Sequence, residues 1–250
     1  MKAFYTLKGI KFPRVGLSRR AGIKVLTREQ TGKFNCEHYM IVVIDYGVGN
    51  VKSVTNAVRY IGCDVKVSCE RRDIEKAGGI ILPGVGACGY AMKVLGPLAD
   101  VIRDVAGGGK PLLGICLGFQ LLFDESFEHG VHTCLGLVRG KVIRIPAGVD
   151  EDGGKLTIPH MGWNLVRLPV GMKLFAGLGP EKYFPFANSY YADVTDDEAI
   201  VAYARYGIDL AASVQKGNIF GCQFHPEKGA TDGLDILRNF ERVCKGSTNH

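Results

Sequence analysis

The chain has 250 residues, 46% of them apolar, which suits one sizeable domain or one domain with an appendage. Its formal charge of +6 is concentrated at one end: residues 1–39 hold nine Lys/Arg against Glu29 and Glu37, and the rest carry one more acid than base. A body so close to neutral excludes a nucleic-acid face inferred from overall charge, and no apolar run approaches the roughly 20 residues that span a bilayer.

Residues 1–39 are basic, broken by Gly and Pro, and lack a sustained period. They read as an N-terminal extension without a fold of its own, with targeting or a docking arm as the alternative. Residues 40–250 then form the functional domain. From Met40 the sequence alternates between strand and helix. Residues 41–45 are apolar and β-branched, 46–50 make a turn, and 51–61 carry apolar residues at helical spacing. Residues 64–68 and 79–82 read as strands, the second ending at Pro83, and 90–106 as two helical pieces broken at Gly96-Pro97. A central strand at 111–115 leads into a helix at 117–124. Short apolar strands separated by helices indicate a parallel sheet covered on both faces. After Leu135 the pattern shifts to shorter alternating strands at 138–145, 165–168, 190–194, 199–206 and 210–216. A buried strand at 219–223 and an amphipathic helix at 232–244 close the chain. The eight cysteines are scattered, with no CxxC pair and no metal-ligand spacing, so reduced thiols in a cytosolic protein and no metal site are expected.

Chemistry enters at Gly114-Ile115-Cys116-Leu117-Gly118. A cysteine between two glycines, after an apolar strand and before a helix, is a nucleophile presented on a sharp turn. Downstream, Phe224-His225-Pro226-Glu227 offers a base in His225 and a carboxylate, Glu227, to orient it. The Leu117 amide, next after the nucleophile, is the first oxyanion donor expected. A second comes from Pro83-Gly84-Val85-Gly86, through Val85. Cys222 reads as a packed strand residue, Cys88 lies close to the proposed oxyanion loop with nothing nearby to activate it, and His160 reads as structural or interfacial rather than a second base.

With those motifs, over residues 41–245, the chain resembles the class I, triad-type glutamine amidotransferases. Three further segments are similar to the glutaminase subunit of imidazole glycerol phosphate synthase: Ile44-Asp45-Tyr46-Gly47-Val48-Gly49-Asn50 with Ser53, Pro159-His160-Met161-Gly162-Trp163-Asn164, and Asn188-Ser189-Tyr190-Tyr191. The resemblance implies an α/β fold of flavodoxin-like type, with a mainly parallel open sheet and an additional smaller antiparallel β portion. It implies a γ-glutamyl thioester on Cys116, with Gly86, Gln120, Glu128, Ser189 and Tyr190 holding L-glutamine, and no cofactor. It also implies a heterodimer partner, the (β/α)₈ cyclase subunit, which receives ammonia and contacts Asn50, Trp163 and Lys228. Many relatives carry His where this chain has Asn188. The competing readings are a glutaminase of another pathway, a stand-alone cysteine hydrolase and a non-catalytic binding protein of the same fold.

Overall fold

The computed structural model describes residues 40–148 and 153–247; the extension expected at 1–39 lies outside the described residues. In chain order the elements are β1 (Ile41–Ile44), α1 (Val51–Tyr60), β2 (Val65–Ser68), α2 (Arg71–Lys76), β3 (Gly79–Gly84), α3 (Cys88–Leu95) and α4 (Leu98–Gly107). Next come β4 (Leu112–Cys116), α5 (Leu117–Gln120), β5 (Glu125–Ser126), β6 (His132–Thr133), β7 (Gly140–Arg144), β8 (His160–Arg167) and β9 (Glu181–Asn188). The chain ends with β10 (Tyr190–Val194), β11 (Ile200–Tyr206), β12 (Ile208–Lys216), β13 (Ile219–Cys222), a 3₁₀ turn at Pro226–Lys228 and α6 (Ala230–Ser247).

Among the described residues the main sheet runs β2-β1-β3-β4-β13-β12-β11-β8-β9. Its first five strands are parallel and the remaining four continue it antiparallel. A second sheet, β10-β7-β5-β6, is antiparallel except where β5 meets β7. The expected class therefore holds. The antiparallel strands not only form the smaller sheet but also extend the larger one.

Successive side chains of a strand face opposite ways, and β1 shows the consequence. Val42 and Ile44 pack with Ile74 of α2, Ala91 and Leu95 of α3 and Ile102 of α4. Ile41 and Val43 pack on the other face with Val54 and Val58 of α1 and Ile236, Leu237 and Phe240 of α6. A strand buried on both faces has no room for polar alternation, which is why 41–44 reads as an unbroken apolar run.

Four local differences from the expected elements have physical reasons. The helix after Cys116 stops at Gln120 rather than 124, because the amides of Leu122 and Phe123 reach back only three residues, to Phe119 and Gln120, and the Asp124 amide donates to the Gly140 carbonyl. β3 runs through Pro83: pairing with β1 ends at Ile81, so the missing proline N–H faces no β1 partner. β9, which the sequence pattern does not predict, contains Pro185. It is the last strand of the sheet and pairs with β8 alone, and an edge tolerates proline. Helix α2 holds a single apolar residue, Ile74, among charged neighbours, too little signal to show a period.

Candidate active site

In a parallel sheet covered on both faces, ligands settle outside the carboxyl ends of the strands. Here the carboxyl ends of β3, β4 and β13 lie side by side, and they deliver Gly84, Cys116 and the segment leading to His225. Around them lies a cleft of about 580 Å³ whose wall includes Val85, Gly86, Cys116, Gln120, Glu128 and His225.

Cys116 ends β4 with φ +56° and ψ −109°, a backbone conformation that non-glycine residues avoid. The turn that imposes it is tight on both sides. A methyl on Gly118 would lie 1.8 Å from the Leu82 carbonyl oxygen, and one on Gly114 would lie 2.5 Å from that of Gly118. Close approach thus requires both glycines of the motif. The turn leaves Cys116 with 9% of its surface exposed, on the wall of the cleft.

His225 follows β13, and its amide donates to the Pro185 carbonyl of β9 at 3.1 Å. Its Nδ1 lies 2.9 Å from Glu227 Oε1, and the Glu227 side chain is 1% exposed. A buried carboxylate is costly unless paired, and the imidazole is its partner. The imidazole and Cys116 share the wall of the same cleft. Burial pulls the His225 pKa down, but the hydrogen bonds to Cys116 and Glu227, with their negative charges, outweigh it and raise the value to about 9. This favours the imidazolium form of His225 at neutral pH. The interaction contributes stability that is complete below pH 6.5 and lost as pH rises through about 9. An NMR titration of His225 is therefore expected to give a midpoint near pH 9 in the intact chain and a lower one in Cys116→Ala; a midpoint near 6.5 in both would refute the coupling.

The remaining expected site residues divide by location. Val85, Gly86, Leu117, Gln120, Glu128, Ser189, Tyr190 and Lys228 all line the same cleft. Leu117 opens α5, where first-turn amides have no intrahelical acceptor. Glu128 is steadied by the Cys88 amide, which donates to its Oε2 at 3.0 Å. The carbonyls of Ser189 and Tyr190 are engaged within the protein: Ile145 donates to the first, and the side chains of Gln120 and Asn188 to the second. Gln120 is 6% exposed, and its amide bonds Tyr190, Gln223 and Cys88. Asn50 caps α1 away from the cleft wall, without a side-chain cap bond. Trp163, on β8, is 57% exposed and lines a separate groove with Tyr183 and Asp232.

The bystanders are equally informative. His160 is stacked between Phe186 and Tyr206, and burial pushes its pKa down to about 4, which leaves it neutral and apart from the base position. Cys222 is fully buried, and burial pushes its thiol up to about 12. One neighbour of the sulfur is not predicted by the motifs: Gln223, whose Nε2 lies 3.9 Å from Cys116 Sγ. The signal available is a lone amide in the apolar run Ile219-Phe220-Gly221-Cys222-Gln223-Phe224.

Comparisons with known proteins agree with this geometry. The glutamine amidotransferase class-I family model matches residues 42–243. Imidazole glycerol phosphate synthase subunit HisH of Geobacillus thermodenitrificans is 45% identical over 212 residues, which cover 84% of this chain and 99% of the relative. The Methanosarcina acetivorans protein of the same name is 45% identical over 206 residues, covering 82% and 98%. Among solved structures, a putative GMP synthase protein from Thermoplasma acidophilum superimposes with a TM-score of 0.65 at 21% identity, covering 84% of this chain and 96% of that one. PurLQS from Thermotoga maritima gives 0.61 at 22% identity, covering 81% and 97%. Both structures bear on the fold alone.

Proposed function

Since the chain belongs to the class-I glutamine amidotransferases and, within them, to the HisH subunits of imidazole glycerol phosphate synthase, we propose that it is the glutaminase of that synthase, acting in histidine biosynthesis. The observation that carries the chemistry is the Cys116–His225–Glu227 line: a sulfur on a strained turn, an imidazole on the wall of the same cleft, and a buried carboxylate hydrogen-bonded to the imidazole.

The steps follow from that line. Cys116 Sγ attacks the carboxamide carbon of glutamine, and the oxyanion is met by the amides of Leu117 and Val85. The imidazolium of His225 gives its proton to the departing nitrogen, so ammonia leaves and a γ-glutamyl thioester remains. Neutral His225 then takes a proton from water as the water adds to the thioester carbonyl. The C–S bond breaks, and glutamate and the thiolate are restored. Glu128, held by the Cys88 amide beside the cleft, supplies a carboxylate for the substrate's α-ammonium. Gly86, Gln120 and the Ser189–Tyr190 backbone complete the pocket wall.

Ammonia released into bulk water becomes ammonium, so its acceptor belongs close by. A (β/α)₈ cyclase subunit, docked over the cleft mouth as the heterodimer partner, provides that acceptor and makes imidazole glycerol phosphate and aminoimidazole carboxamide ribotide. The surface supports a partner there. Met161 and Trp163, alternate residues of β8, are 68% and 57% exposed, and Tyr183 of the paired strand is 58% exposed. Pro159, Met161 and Lys228 rim the cleft itself. Exposed Trp and Tyr are the side chains that commonly anchor protein contacts. Asn50 and Lys228 are placed as further contacts.

The test is glutamate release by the isolated chain, then with the cyclase, then with the cyclase and its nucleotide ligand. Coupling between sites of 1–3 kcal/mol corresponds to about 5–150-fold, and an increase in that range is expected on completing the mixture. Full turnover by the chain alone would instead support a stand-alone hydrolase.

A further inference from the structure

Three hydrogen bonds run end to end between two cysteines of this site. Cys88 Sγ donates to Gln120 Oε1 at 3.7 Å, Gln120 Nε2 donates to Gln223 Oε1 at 2.9 Å, and Gln223 Nε2 donates to Cys116 Sγ at 3.9 Å. All three donors point the same way. Aligned bonds of this kind polarise one another, and the positive end of the chain falls on the sulfur of Cys116.

The orientation of each amide is fixed by its partners. Gln120 Nε2 also donates to the Tyr190 carbonyl at 3.1 Å, and a carbonyl only accepts. The NH₂ of Gln120 therefore faces Tyr190 and Gln223, and its oxygen faces the Cys88 thiol. Gln223 must in turn meet that NH₂ with its oxygen, which leaves its own NH₂ for Cys116. A flipped Gln223 would set donor against donor and aim a carbonyl oxygen at the sulfur. Burial makes that alternative costly, since Cys88, Gln120 and Gln223 are 0%, 6% and 1% exposed.

We propose that Gln223 is a catalytic residue of this site, its side-chain amide holding the Cys116 sulfur as an anionic hydrogen-bond acceptor, and that Gln120 and Cys88 are positioning residues that fix the amide's orientation. The inference rests on Cys116 being the nucleophile. It assigns the sulfur two donors, the His225 ring and the Gln223 amide. The two differ during the reaction. His225 loses its proton to the departing nitrogen, whereas the amide keeps its hydrogen throughout. When water attacks the thioester and the C–S bond breaks, the electron pair returns to sulfur against a donor already in place. Gln223 thereby assists departure of the sulfur while His225 is occupied with the water proton. It also assigns Gln120 a role in the wall of the cleft that does not depend on substrate.

The test reads the sulfur rather than turnover. The full chain is treated with iodoacetamide across a pH series, and alkylation of the Cys116 peptide is followed by mass spectrometry. His225, Glu227 and Tyr46 are the titratable groups interacting with this sulfur or its base, and every variant leaves them unchanged. In Gln223→Leu the midpoint of the alkylation profile is expected to rise by about one pH unit, which is about a tenfold slower reaction at a fixed pH below it. Gln120→Leu is expected to move it the same way by about threefold, because the amide of Gln223 then loses the partner that orients it. Should Gln223→Leu fail to show a cooperative thermal transition, Gln120→Leu and Cys88→Ala carry the same test. An unmoved midpoint in folded variants overturns the role of the amide, provided that Cys116→Ala is inactive with glutamine. Retained glutaminase activity in Cys116→Ala overturns the reading beneath it.

Discussion

Cys116→Ala is expected to lower glutamine-dependent turnover of the assembled synthase by at least about 10⁴-fold while leaving synthesis from added ammonia intact. Losing a triad member typically removes most of the covalent contribution and leaves only binding and oxyanion effects. The split between the two nitrogen sources follows from where the sulfur lies. Cys116 ends β4 beneath the cleft and is 9% exposed, whereas the exposed residues Met161, Trp163 and Tyr183 occupy the outer face of β8 and β9. Deleting one sulfur atom from the turn disturbs no contact on that face. A steady-state assay with glutamine and with ammonium salts, at equal enzyme, measures both. Equal losses with both nitrogen sources would mean that the substitution has damaged the assembly instead.

Glu227→Gln carries the next largest effect, a fall in kcat of about 10³–10⁴-fold. Glu227 Oε1 lies 2.9 Å from His225 Nδ1, and the carboxylate is 1% exposed, so little solvent can replace it. The amide changes two things at once. It removes the negative charge that helps raise the His225 pKa to about 9, and it can present an NH₂ to Nδ1, which selects the wrong tautomer. The loss is expected in kcat with little change in KM, because Glu227 is absent from the cleft wall. A rise in KM at constant kcat would place this carboxylate in substrate binding.

Much of this arrangement is legible in the sequence, and the reasons are local. The run 41–44 announces a doubly buried strand because both of its faces meet apolar cores. Gly96-Pro97 marks the break between α3 and α4 because proline cannot continue the first helix. The proposed triad is visible because its members sit in short motifs with recognisable stereochemistry: small residues flank Cys116, and Pro226 stiffens the link from His225 to Glu227.

What stays hidden depends on distant partners. Nothing in 117–124 says that the helix ends at Gln120, since the carbonyl that claims the Asp124 amide lies at Gly140. The segment from His160 to Asn164 carries Gly162 and no alternation, yet it becomes the start of β8 because β9 lies against it. Pro185 argues against a strand until its place at the sheet edge is known. Gln223 belongs to the same class: 107 residues separate it from Cys116, and only the parallel pairing of β4 with β13 brings them together.

The claim beneath all of this is that glutamine becomes covalently attached to Cys116. The most direct measurement is an acid quench of the assembled synthase during turnover, followed by peptide mapping for a glutamyl group. The label is expected on the Cys116 peptide and absent in Cys116→Ala. Label on another cysteine, or steady release of glutamate from Cys116→Ala, would contradict it.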